Sequence, residues 1–174
     1  MFRRLWIFLT KNEAKNTGRL SFLFIYIVGM LMPSGYAYFA RMPSAAEMHV
    51  STGKAEFSFS GKSGYALMIG GKSHTCGGPF LYEDKDCFSV DETAAVTGKN
   101  VAVTWFYQPA FPFFPNRRVA QIQMDGVDLL PDGYLSRALQ IDKERAESGL
   151  GFLTFWMAFW WLVIEFIYWR RRNK

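Results

Sequence analysis

Two cysteines, Cys76 and Cys87, and two histidines, His49 and His74, are the natural places to look for chemistry. Redox pairs favour a CxxC spacing with a lowered thiol pKa, and the ten residues between Cys76 and Cys87 are too many for it. An even cysteine count in an oxidising compartment predicts a structural disulfide instead. His74 stands two residues before Cys76, but a metal centre needs three or four ligands and a bonded Cys76 leaves no such set. His74 therefore reads as a strand residue, with no metal and no cofactor expected. The triplets Gly61-Lys62-Ser63 and Gly71-Lys72-Ser73 lack the phosphate-loop glycine five residues earlier, where Glu56 and Ala66 stand, and read as turns. Glu83-Asp84-Lys85-Asp86 reads as a solvated loop, with cation binding as the lesser alternative. No GxSxG, HExxH or Cys/His pair occurs, so a catalytic role, for instance on lipid or cell-wall substrates, has no nominated residue.

The segment Tyr107 to Arg118, YQPAFPFFPNRR, is the most unusual in the chain. Its three prolines stiffen a stretch that carries Phe111, Phe113 and Phe114, followed by Arg117 and Arg118. Aromatics beside arginine have the composition of a partner-binding hot spot, and these five residues are the candidate contact surface. The segment has two other readings: it folds back over the domain's open end, or it dips into a bilayer. Glu165 stands inside an apolar run, where a charge is costly. Local anchoring at headgroup level or on Arg170 is the favoured expectation, and a partner helix or proton-linked role is the alternative.

The elements that position these residues follow from composition. Of 174 residues, 50% are hydrophobic, 18% aromatic and 20% charged, which excludes disordered, collagen-like and disulfide-dense classes. Two uncharged or nearly uncharged blocks, residues 20–40 and 150–169, have the length that crosses a hydrocarbon core of about 30 Å. Pro33-Ser34-Gly35 predicts a kink or the helix exit in the outer third of the first block. A cleaved signal peptide ending near Ser44-Ala45-Ala46 is the competing reading; the long leader and long apolar block favour a retained helix.

Basic residues crowd the leader 1–19 and the tail 170–174, whereas residues 41–148 carry eleven basic and thirteen acidic side chains. That asymmetry predicts cytoplasmic termini and an exported middle. The net charge of +5 and the pI near 9.3 come from the tails and point to anionic membrane lipids rather than nucleic acid. Phe2, Leu5, Trp6, Ile7, Phe8 and Leu9 make the leader either an interfacial amphipathic helix or a plain membrane-proximal segment.

Within the exported part, alternation over 55–60, an apolar run over 65–69, the Gly70-Gly71 turn, and the runs 101–107 and 118–124 predict four to six short strands. The expected fold is membrane α + β: two transmembrane helices flanking a small antiparallel β-barrel or sandwich. Its parts are the β-domain 41–135, a short juxtamembrane helix 136–149 ending at the Gly149-Leu150-Gly151 break, and the span 150–169.

The strand Gly98, Val101, Val103, Trp105, Tyr107, Pro109 (G-x-x-V-x-V-x-W-x-Y-x-P), followed by the strand Arg118 to Ile122, resembles a broad bacterial family of membrane proteins that carry a small β-barrel between two spans. The resemblance implies the fold and no activity. With the charge asymmetry, it implies a bacterial inner-membrane protein with a periplasmic domain. The expected role is non-enzymatic protein binding of an accessory, immunity or exclusion type. An obligate subunit of a membrane complex, assembled through its spans, is the alternative.

Overall fold

The computed structural model describes residues 13–59, 64–78, 87–110 and 114–172. The first apolar block forms one helical run made of α1 (Glu13–Tyr26), a π-helical segment Ile27–Leu31 and α2 (Met32–Tyr38). Pro33 explains the π segment. Its ring would collide with the carbonyl four residues back in a regular helix. Here Met32 donates to the Ile27 carbonyl five residues back, widening the turn ahead of the proline. The expected exit at Pro33-Ser34-Gly35 does not occur: the helix continues to Tyr38, with Pro33, Ser34 and Ala37 buried.

Six strands follow: β1 (His49–Phe59), β2 (Tyr65–Ile69), β3 (Lys72–His74), β4 (Asn100–Ala110), β5 (Phe114–Met124) and β6 (Val127–Asp128). A short helix α3 (Val90–Val96) separates β3 from β4, capped by Ser89 and Glu92 in a reciprocal capping box. The sheet is antiparallel in the order β3-β2-β1-β4-β5-β6. β1 serves two partners, pairing β4 through Lys54 and β2 from Ala55 onward. Gly53 stands at that change of partner, where a Cβ would lie 3.3 Å from Ile69 Cγ2.

The expected barrel or sandwich is corrected to an open sheet. Its two sides meet at one parallel bridge, Thr75 with Arg118, made by Thr75 N–H to Arg117 O and Val119 N–H to Thr75 O. β3 is three residues long and leads directly into the cysteine segment, so no ladder forms to close the sheet.

The last element, α4 (Tyr134–Arg172), is a single 39-residue helix. The separate juxtamembrane helix 136–149 and the break at Gly149-Leu150-Gly151 are therefore corrected. A glycine inside a helix costs only about 1 kcal/mol, less than interrupting the backbone hydrogen bonds next to an apolar run. At about 1.5 Å per residue α4 is a rod of about 58 Å, nearly twice a hydrocarbon core. Two stretches, Arg19–Tyr38 and Tyr134–Arg170, are long and apolar enough to cross a membrane.

The main core lies on one side of β4 and joins Val101, Val103 and Trp105 to Leu67, Ile69, Val119, Ile122, Val96 and Leu130. A smaller cluster of Phe106, Leu135 and Leu139 packs the opposite side of β4 against α4.

Candidate functional site

Val119 and Ile122 both belong to the main core, although a regular strand would turn residues three apart to opposite faces. The register shift between Thr104 and Trp105, a β-bulge in the β4–β5 pairing, resolves this. It also turns Arg118 toward α4. Arg118, 1% exposed, donates from Nη1 to Asp142 Oδ2 at 2.5 Å and to Gln108 Oε1 at 2.8 Å. Asp142 is 3% exposed, so this is a buried ion pair between sheet and helix. A guanidinium only donates, so Gln108 must face it with its carbonyl. The Gln108 Nε2 group is thereby turned away, buried, and without a hydrogen-bond partner among the described residues.

Gln108 lines a cleft of about 770 Å³ where α2, the segment Arg41–Glu47 and β4 meet, closed by Leu139 of α4. Arg41 and Glu47 form its rim. Arg41 Nη2 lies 2.5 Å from Glu47 Oε1, and Ser44 N–H and Oγ donate to Oε2 at 2.7 and 2.9 Å. The Arg41 hydrogen bond, with those from Ser44, lowers the Glu47 carboxyl to about 2, and the Arg41 guanidinium is raised by the same contact. The rim is thus charged and internally balanced near neutrality.

On the other side of the β4–β5 arm, Tyr107 and Arg117 stand directly opposite each other. Arg117 Cζ lies 5.4 Å from the Trp105 ring and 5.8 Å from the Tyr107 ring. The rings of Trp105 and Tyr107 meet edge to face at 5.0 Å, and the His49 ring lies tilted against Trp105 at 4.7 Å. Tyr107 is 51% exposed, so this face is rigid, aromatic, cationic and open; Phe114, 69% exposed, pairs with Ala110 and stands on the opposite face of the arm.

The five candidate contact residues therefore separate. Arg117 is on the arm's open side with Tyr107, whereas Phe114, three residues back on a regular stretch of β5, is exposed on the opposite face. Arg118, expected with them, is instead a core residue paired to Asp142 and unavailable at the surface. Phe111 and Phe113 lie outside the described residues, as do Glu83-Asp84-Lys85-Asp86 and the apolar leader. Tyr107, Trp105 and His49 join Arg117, which the sequence alone did not reveal; the cross-strand pairing that assembles them is tertiary.

Cys76 and Cys87 form a disulfide with Cα atoms 5.0 Å apart. Cys76 is buried in the main core, and its carbonyl accepts from Tyr134 Oη at 3.1 Å, tying the cysteine segment to the start of α4. His74 is buried with its ring 5.5 Å from Trp105. Burial pushes its imidazole below the ordinary value against the opposing backbone group of Lys72, with the Arg117 charge adding to the lowering and the Leu67 backbone opposing it less. Among the described residues no group of three His, Cys, Asp or Glu side chains could hold a metal.

Glu165 pairs with Arg19 of the other candidate span rather than with Arg170. On the same stripe Phe22 meets Trp161 at 6.1 Å, and Tyr26 Oη lies 2.8 Å from Thr154 Oγ1. Partners on the first helix rise in number as those on the second fall, so the two helices run antiparallel.

No protein-family model, curated protein or solved structure matches this chain.

Proposed function

We propose that the chain is a non-enzymatic, two-span protein of a bacterial inner membrane that binds a protein partner through the open side of its β4–β5 arm. Both termini are cytoplasmic, and the sheet stands in the periplasm on the extramembrane part of α4. The positive tails support that orientation, as does the disulfide, which persists outside a reducing cytoplasm.

The observation that carries the reading is Arg117 held over both Trp105 and the half-exposed Tyr107. Aromatic and arginine side chains fixed before binding lose little entropy on association, which is the usual composition of interface hot spots. The cytoplasmic-side anionic lipids contribute the remaining contact, at the basic tails. Assembly as a membrane subunit around Glu165 is the weaker reading, because that carboxylate already has Arg19.

The test replaces Tyr107 with a photoreactive phenylalanine analogue and captures the crosslinked species from native membranes. The reading expects one envelope protein, lost on Arg117→Ala while the disulfide stays formed. Crosslinks confined to lipid or to the chain itself would overturn it.

A further inference from the structure

We infer that the partner is recognised through a carboxylate of one of its acidic side chains, seated on the two Nη groups of Arg117. The inference rests on the reading that the open side of the β4–β5 arm binds a protein, and it names what that protein must bring.

Charge comes first. Arg19, Arg41 and Arg118 each hold a carboxylate, on Glu165, Glu47 and Asp142. Among the described residues Arg117 meets no carboxylate, and its guanidinium donates no hydrogen bond. Its Nε is buried, so Nη1 and Nη2 are the donors this half-buried side chain brings to the surface. The groups beside it do not neutralise it: Trp105 and Tyr107 are uncharged rings, and His49 lies against both. The charges that act on His74, whose ring meets Trp105, are those of Arg117 and Lys72, with no carboxylate among them. The local field is therefore positive.

Geometry comes second. The two rings hold the guanidinium before any ligand arrives, so binding does not have to order a long, free side chain. Its paired Nη donors match the two oxygens of a carboxylate, and such charge-assisted bonds are roughly twice as strong as neutral ones.

Position separates a protein carboxylate from the phosphate of a bilayer lipid, which would use the same donors. Arg118, the next residue, is tied to Asp142, which lies eight residues before Leu150 on the continuous helix α4. The second apolar block begins at Leu150. Eight helical residues rise about 12 Å, whereas each headgroup layer is only about 5–8 Å thick. Arg117 thus stands beyond the headgroups, open to a protein and out of reach of a lipid that stays in its leaflet.

The experiment uses the full chain in native envelope membranes, with the photoreactive phenylalanine analogue at Tyr107. It reads the yield of the protein adduct and the partner peptide that carries the crosslink. Arg117→Gln keeps a side chain against the rings without the charge, and should lower the yield about tenfold or more, the worth of a charged hydrogen bond. Arg117→Lys keeps the charge without the fork and should fall between; an intact disulfide shows that each variant is folded. The crosslinked peptide should hold an Asp or Glu beside the adduct. Changing that acid to Lys should abolish capture by the natural chain, and Arg117→Glu should restore it. An unchanged yield in Arg117→Gln, or a partner reversal that Arg117→Glu does not rescue, would overturn the carboxylate contact and leave the protein-binding reading standing. Adducts on phospholipid alone, or no protein adduct at all, would overturn both.

Discussion

Arg118 and Asp142 meet at 2.5 Å with neither side chain reaching solvent, and this pair locks the sheet onto the helix that carries it. Removing one member of a buried ion pair leaves the other uncompensated and costs about 3–5 kcal/mol. Asp142→Leu should therefore destabilise the detergent-solubilised chain by that amount in denaturant titration. The double variant Arg118→Met with Asp142→Leu should recover most of the loss, because two apolar side chains restore a neutral interior. A double variant as unstable as the sum of both singles would contradict the role assigned to the pair.

Arg19 and Glu165 join the two candidate spans from opposite ends of the sequence. Arg19→Gln and Glu165→Gln should each lower thermal stability, and their effects should fail to add, with a coupling of about 0.5–3 kcal/mol. Additive losses in the double-mutant cycle would mean that the two side chains act separately.

The Cys76–Cys87 bond closes a loop of about a dozen residues, for which chain-entropy arguments give about 3 kcal/mol. Reduction, or Cys76→Ala with Cys87→Ala, should lower the melting temperature of the β-domain and slacken the contact from Tyr134 to the Cys76 carbonyl. Near-ultraviolet circular dichroism of reduced and oxidised protein reads both effects.

His74 is held below its ordinary pKa of 6.5 chiefly by burial. As pH falls below that value the unfolded chain takes up the proton before the folded one does. Stability is therefore complete above about pH 6.5 and declines below it, by at most about 1.4 kcal/mol per pH unit, until the folded imidazole also protonates. Thermal melts between pH 7.5 and 5 should show this slope in the natural chain and a shallower one in His74→Leu. Equal slopes would mean that another group governs the acid sensitivity.

Much of the architecture was legible because apolar length and alternation are local signals. The two blocks at 20–40 and 150–169, the strand at 101–107, the Gly70-Gly71 turn and the cysteine pair all appear in the structure. The capping-box pattern from Ser89 to Glu92 announced α3 but was masked by a weakly apolar helix. The first half of β1, from His49 to Lys54, has almost no apolar alternation and exists because β4 pairs with it. Arg118 misled most: two adjacent arginines look like a surface, but strand alternation turns them to opposite faces, and the bulge nearby sets which one goes inward while the other lies on Trp105 and Tyr107. Likewise, Arg19 and Glu165 are 146 positions apart and Gln108 owes its unpaired amide to Arg118, so neither relationship is written in spacing.

The account depends most on the β-domain lying across the membrane from both termini. Single cysteines at Glu56→Cys, exposed on β1, and Asn173→Cys, at the C-terminal end, can be probed in intact spheroplasts with a membrane-impermeant maleimide. The account predicts that Glu56→Cys reacts at once and Asn173→Cys only after permeabilisation. Labelling of Asn173→Cys in sealed spheroplasts, or protection of Glu56→Cys, would contradict it.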